Sequence, residues 1–167
     1  VIPDIVNKNV FDIYQPRVSK ATLNAVQNWV NKLNTLHVNT QVINPVYEEV
    51  TVELKVKFHK GYDENYYIKV LNEDITKLLS PWAFENLASI EFGITLHRSV
   101  VINFIEKLEY VDYIEDVNLL KGTEISITNV SPSSPIAILV SAKTHKILPA
   151  VKNCGNGIIE IEETCQT

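Results

Sequence analysis

Apolar and polar residues alternate strictly from Val46 to His59, and this alternation is the clearest pattern in the chain. The apolar positions recur at every second residue and are Val50, Val52, Leu54, Val56 and Phe58. A period of two is typical of a strand with one apolar face and one solvated face. A strand of about ten residues spans ~33 Å, so we expect it to cross a whole sheet whose apolar side is covered by helices.

Three segments show the spacing of amphipathic helices instead. The first follows Ser19 and the second follows Asp63, both candidate N-caps, while the third is predicted to be capped by Ser99. The second is predicted to stop at Ser80 and Pro81. Their apolar stripes are, in chain order, Leu23, Val26, Val30 and Leu33; Tyr67, Leu71, Ile75 and Leu78; and Val101, Phe104, Ile105 and Leu108.

Shorter extended segments fill the second half of the chain. They are predicted at 90–94, broken by Gly93, at 111–119 with an irregularity where the alternation slips between Ile114 and Val117, at 124–129, at 136–140 and around Ile147. The last of these suggest a meander or paired hairpins. The order of segments predicts an α+β fold in which a mixed or antiparallel sheet carries about three helices, packed mainly on one face.

Composition narrows the class of protein. Of the 167 residues 46% are hydrophobic and 21% charged, which is ordinary for a globular protein. The net charge of -5 and the scarcity of arginine, with only Arg17 and Arg98, argue against a nucleic-acid partner. No apolar run approaches the ~20 residues that span a bilayer. Because the chain contains no Met, we expect it to be either processed or, as we favour, a piece of a longer protein.

No motif indicates an enzyme. The histidines His37, His59, His97 and His145 are scattered, and none stands at metal-ligand spacing from a second ligand. The glycine-rich phosphate loops and the nucleophile elbow are absent from the sequence. We therefore predict a non-enzymatic protein with no metal and no cofactor.

Two polar clusters are candidates for a catalytic role. His97 and Ser99 could form a nucleophile pair in a small hydrolase, but neighbours at a helix start seldom face each other, so a capping Ser99 and a solvated Arg98 are favoured. Adjacent carboxylates such as Glu48 and Glu49 point to opposite sides of a strand. We predict that they lie on a solvated face.

The remaining candidates are contact residues. Trp82 and Phe84 follow a helix end and either plug the core, which is the favoured interpretation, or anchor a partner. Together with Arg98 they form the candidate interface. Cys154 and Cys165 could close a small disulfide loop over the Asn-Gly turn between them, and an unpaired tail is the alternative.

An ordered set of segments resembles a known family. The segments are NPVYEEV at 44–50, GYD at 61–63, LSPWAF at 79–84, FG at 92–93, HRSVVINFIE at 97–106, YVDYI at 110–114, SSP at 133–135 and ILVSA at 138–142. They are similar to the C-terminal part of baseplate J-like proteins, the wedge components of contractile phage tails and of phage-tail-like injection particles. The resemblance spans roughly 16–148, whereas the cysteine tail matches nothing in that family.

The resemblance implies a structural role without chemistry. Such a chain would be assembled in the cytoplasm and then become part of the particle, where wedge proteins surround a hub and couple the baseplate to the sheath. Its partners would be other wedge, hub and sheath-proximal proteins in a homo- or hetero-oligomer, with no nucleic acid and no membrane span. The implied division is a lead-in at 1–17, the domain at 18–150 and the cysteine tail at 151–167. The alternative, suggested by the tail, is a ligand-binding or adhesive module of an extracellular protein.

Overall fold

The computed structural model describes residues 1–3, 12–84 and 90–150. Its elements are α1 (Lys20–Leu33), β1 (Val46–Phe58), α2 (Glu64–Leu79), a 3-10 turn (Pro81–Ala83), β2 (Leu96–His97), α3 (Arg98–Ile105), β3 (Val111–Lys121), β4 (Glu124–Ser126), β5 (Asn129–Val130), β6 (Ala137–Ser141) and β7 (Lys146–Pro149). The predicted α+β class, with three helices in the described residues and a mixed sheet, is confirmed.

Two of the predicted caps are present. The Thr22 N–H donates to Ser19 Oγ at 3.2 Å, and the Tyr66 N–H donates to Asp63 Oδ1 at 2.7 Å. The predicted Ser99 cap is wrong, because α3 begins at Arg98 and its N-cap position is His97. The Arg98 N–H donates to the Thr128 carbonyl at 2.9 Å, so backbone pairing with a distant loop supplies the acceptor that a capping side chain would provide.

β1 is the central strand of the main sheet. β3 lies antiparallel along one side of it, with β4 beyond, and β6 and β7 both lie parallel to it on the other side. The predicted meander or paired hairpins are therefore wrong for β6 and β7. Residues 142–145 carry the chain onward in the same direction, so the two short strands lie end to end along β1.

Two further strand predictions can be compared with the structure. The irregularity expected between Ile114 and Val117 is confirmed, since the register advances from Glu53 to Lys55 on β1 while β3 takes three residues, and Asp116 has a φ of 50°. The break expected at Gly93 is confirmed, but the extended segment expected around it at 90–94 is wrong. Gly93 adopts a φ of 69°, and its N–H donates to the Ala137 carbonyl at 3.0 Å, so this segment turns against β6.

The main core lies between one face of the sheet and two helices. It gathers every second residue of β1 with buried residues of α2, α3 and β3, chiefly Val50, Val52, Leu54, Val56, Leu71, Ile75, Val101, Ile105 and Leu119. A smaller cluster of Trp82, Ile138 and Val140 packs with Tyr47, which alternation places on the opposite face of β1. α1 contributes no buried residue, so the helix that precedes β1 does not help to cover it.

Candidate functional site

Trp82 and Phe84 lie side by side but in different environments. Trp82 is only 8% exposed and packs against Ile138 and Val140, and its Nε1 has no hydrogen-bond partner in the part of the chain that the structure describes. Phe84 is 45% exposed and meets Tyr14 edge-on, with ring centroids 6.1 Å apart. Trp82 therefore holds the turn to the sheet, and Phe84 is the aromatic ring that a partner could reach.

A cleft of about 420 Å3 opens beside Phe84. It is bounded by residues 12–15, by the C-terminal half of α2 and by residues 141–143. Its charged side chains are of both signs, and Lys77, one of its cations, is paired with Asp74 at 3.0 Å. The cleft thus presents a mixed polar and aromatic surface without a dominant charge.

Arg98 is directed to a different part of the molecule. Its Nη1 donates to the Ile127 carbonyl at 3.4 Å, and its backbone N–H bonds Thr128. Its Nε is buried without a partner among the described residues. Arg98 therefore fixes the loop between β4 and β5, and the structure gives it no contact with Trp82 or Phe84.

The other predicted residues are not gathered into a site. His97 and Ser99 are both exposed, and His97 makes no capping bond. Cys154 and Cys165 lie outside the described residues, so their disulfide stays a prediction. Within the described ranges no group of three or more His, Cys, Asp or Glu side chains could hold a metal ion. None of the described helices combines the length and the apolarity that a bilayer crossing requires.

The structure does bring together one serine and histidine that the sequence did not single out. Ser141 Oγ lies 3.2 Å from His145 Nε2 at the rim of the cleft, while His145 Nδ1 accepts the Val52 N–H at 3.1 Å. Burial lowers the pKa of His145 to about 4. Val52 and His145 are 93 residues apart, so no local signal could have revealed the contact.

The direction of these hydrogen bonds argues against a nucleophile pair. Because Nδ1 accepts a hydrogen bond, the proton of the neutral ring is on Nε2 and points toward Ser141. The Ser141 hydroxyl donates to the Ala142 carbonyl at 2.8 Å. A general base needs an unprotonated nitrogen facing the hydroxyl, so this arrangement is structural.

The prediction that Glu48 and Glu49 lie on a solvated face is wrong for Glu48. Its side chain is 13% exposed and bonds Lys121 Nζ at 3.2 Å. The Ser133 N–H, 3.1 Å from each carboxylate oxygen, and the Ser133 hydroxyl also donate to it. Although partial burial raises the pKa of Glu48, the bonds from Ser133 and Lys121 together lower it below its usual range. Glu48 therefore ties β1 to the end of β3 and to the loop before β6.

Comparison with known proteins adds three findings. Residues 1–137 match the family described as baseplate protein PVC11-like. In the cryo-EM structure of the anti-feeding prophage baseplate, six-fold symmetrised, one chain is similar with a TM-score of 0.60 and 16% identity, over 76% of this chain and 26% of that one. A lysine–tRNA ligase of Baumannia cicadellinicola subsp. Homalodisca coagulata is 24% identical over 131 residues, which is 75% of this chain and 26% of the ligase.

The family match extends over most of the chain, including all the elements up to the start of β6. A match of that extent identifies the class as a baseplate protein. The chain belongs to the PVC11-like baseplate protein family. It spans about a quarter of the length of the solved chain and of the ligase that it resembles.

Proposed function

We propose that this chain is the C-terminal α+β domain of a wedge protein in the baseplate of a phage-tail-like contractile injection particle. The family match over residues 1–137 carries the proposal. The earlier resemblance to the C-terminal part of baseplate J-like proteins supports the wedge position. The domain would act through contacts with other wedge, hub and sheath-proximal proteins, during cytoplasmic assembly and again when the particle is triggered.

A purely structural role agrees with the chemistry of the surface. The Ser141 and His145 pair has the wrong tautomer for a base, and the cleft beside Phe84 holds charges of both signs. The likeness to a ligase covers a quarter of that protein, and the net charge of -5 disfavours binding to RNA. We therefore propose that the chain catalyses no reaction.

The proposed domain division keeps 1–17 as a lead-in, 18–150 as the wedge domain and 151–167 as a tail. Within the wedge domain, Phe84 is the proposed contact residue, and the buried Trp82 holds its turn against the sheet. Arg98 is proposed to contribute to the interface by fixing the loop between β4 and β5. Aromatic side chains, Phe among them, are enriched at protein interfaces relative to the rest of the surface. A partner that covers Phe84 would also cover part of the cleft.

Incorporation into particles tests the proposal. The tagged chain, in its natural polypeptide, would be produced with the other proteins of its particle, and the particles would be isolated by sedimentation and imaged by electron microscopy. We expect the chain in the baseplate, around the hub, in six copies or a multiple of six, as the six-fold neighbour suggests. Particles that form a complete baseplate without it, or that carry it only at another position, would contradict the wedge assignment.

A substitution at Phe84 tests the proposed contact. Phe84→Ser removes a large exposed ring without touching the core, so the chain should keep its melting temperature but enter particles several-fold less often. Phe92→Ser is the matched control, since Phe92 is 46% exposed and Phe84 is 45% exposed. Equal incorporation of the two variants would remove Phe84 from the interface.

A further inference from the structure

α1 carries an exposed apolar row that nothing in the described chain covers. Residues spaced by four lie on one face of a helix, and here they are Ala21, Ala25, Trp29 and Leu33, all exposed. Trp29 is 63% and Leu33 67% exposed, and Leu36, just beyond the helix, is 86% exposed. We call the four-residue row the α1 surface.

The side of α1 opposite the α1 surface is hydrogen-bonded to residues 40–42, which follow the helix. Gln27 Oε1 accepts the Val42 N–H at 3.2 Å, and Asn31 Oδ1 accepts the Thr40 N–H at 3.0 Å. At 3.6 residues per turn, residues two positions apart are separated by about 200°, so Trp29 and Leu33 point away from these anchors. A helix of fourteen residues without a buried side chain is marginal in water, and a covering partner would stabilise it.

The charge around the α1 surface differs from that of the whole chain. Residues 13–47 contain no Asp or Glu but include Arg17, Lys20 and Lys32. Removing these three from the chain's 15 Lys and Arg leaves 12 against 20 Asp and Glu in the remainder. The segment with the uncovered apolar row is therefore positively charged, although the chain as a whole carries a net charge of -5.

We propose that the α1 surface binds an amphipathic, carboxylate-rich helix of a neighbouring baseplate protein. The proposal rests on the proposed function, because it supposes a neighbour in the particle. A row of i, i+4 side chains is a ridge that fits the groove of a second helix, and Ala21 and Ala25 let its backbone come close. Carboxylates on the partner would meet Lys20 and Lys32.

A protein partner suits this helix better than a lipid surface. Helices that lie in membrane interfaces carry many Lys or Arg residues on the polar face. The polar residues of α1 are instead mostly uncharged, and because Gln27 and Asn31 already bond the segment that follows the helix, the exposed amides are Asn24 and Asn28. Amides of this kind can hydrogen-bond to another protein without the cost of burying a charge.

Binding of two synthetic helices tests the proposal. The probes are peptides of about six turns with the same Leu face, one with Glu and the other with Lys on the polar face, measured by fluorescence anisotropy against the full chain. We expect the Glu peptide to bind roughly tenfold more tightly than the Lys peptide and to weaken as salt is raised. The double variant Trp29→Ala, Leu33→Ala should lose roughly tenfold or more in affinity for the Glu peptide.

The matched control is Ile125→Ala with Ile127→Ala, because these side chains are 64% and 66% exposed outside the α1 surface. It should bind the Glu peptide with the affinity of the unaltered chain. Both double variants should have the melting temperature of the unaltered chain. Equal affinity for the two peptides would overturn the proposal. So would loss of binding in the control, self-association through Trp29 and Leu33 in sedimentation, or preferential binding to vesicles of anionic lipid.

Particle incorporation separates this inference from the function on which it rests. If the unaltered chain enters the baseplate but ignores the Glu peptide, the α1 surface proposal alone fails. If the chain is absent from the baseplate, the proposed function fails whatever the peptide does. Entry of the Trp29→Ala, Leu33→Ala variant at the unaltered level would also count against the α1 surface.

Discussion

At the scale of single residues, the His145 side chain supplies a hydrogen-bond acceptor where the main sheet has no strand beside β1. β6 ends at Ser141 and β7 starts at Lys146, so the edge of β1 between them has no strand beside it. The His145 ring accepts the Val52 N–H there, and the backbone N–H of His145 donates to Asn72 Oδ1 at 2.8 Å. A side chain thus replaces one ladder bond and joins β1 to α2.

This contact predicts a specific pH dependence. Burial lowers the pKa of His145 from 6.5 to about 4 in the folded protein, so the folded state favours the neutral ring. The resulting stabilisation is complete above pH 6.5 and is lost as the pH falls through 4. We expect the free energy of unfolding, measured with urea, to fall over this range and more steeply than in the variant His145→Ala.

The same variant should be less stable at neutral pH. It leaves the Val52 N–H without an acceptor, which should cost about 1–3 kcal/mol. His97→Ala is the control, because His97 is exposed and its side chain caps nothing. An identical pH profile for His145→Ala and the unaltered chain would show that the ring does not hold β1.

At the scale of elements, α1 and α2 both begin at a side-chain N-cap but differ in how much of their surface is buried. Each has a side-chain N-cap, Ser19 and Asp63 respectively. α2 buries Leu71, Ile75 and Leu79, whereas α1 buries nothing. Helices in proteins are stabilised mainly by the face they pack, so α2 should unfold with the core and α1 on its own.

Removal of the two caps should separate these behaviours. Asp63→Ala should lower the global stability by about 1 kcal/mol, seen as an earlier urea midpoint. Ser19→Ala should leave that midpoint unchanged and instead speed hydrogen exchange within α1. A shared loss of global stability would mean that α1 is part of the cooperative core after all.

At the scale of the whole molecule, the sheet is covered unequally on its two faces. α2 and α3 pack on one face, and among the described residues the buried cluster on the other face is that of Trp82 and its neighbours, at the end near β6. The rest of that face carries partly exposed polar residues such as Glu53 and Lys55. One main core therefore determines the stability of the domain.

A cavity in that core should be far more damaging than a loss at the surface. Leu54 is 1% exposed at the centre of β1, so Leu54→Ala should cost about 2–5 kcal/mol of unfolding free energy. Leu36→Ala makes the same chemical change at a side chain that is 86% exposed. It should stay within about 0.5 kcal/mol of the unaltered chain in the same calorimetric or urea measurement, and a comparable loss would place Leu36 in a packed site.

The sequence by itself determined what depends on neighbours along the chain. Periods of two and 3.6 predicted β1 and three helices, Ser19 and Asp63 predicted two caps, and the slipped alternation predicted the irregularity in β3. These features succeed because side-chain direction and capping are set within a few residues. The ordered segments also indicated a baseplate protein, and the match to the PVC11-like family supports that broader class.

Only the tertiary structure decided what depends on distant residues. The parallel direction of β6 and β7, the anchoring of Glu48 by Ser133 and the bond from Val52 to His145 join segments that are far apart in sequence. α1 shows the same limit, because its amphipathic pattern predicted a helix that covers the sheet, whereas the predicted stripe is only partly buried at Leu23, Val26 and Val30 and is exposed at Leu33. A pattern states which face is apolar, and the path of the chain decides whether that face is buried by this molecule or left for another.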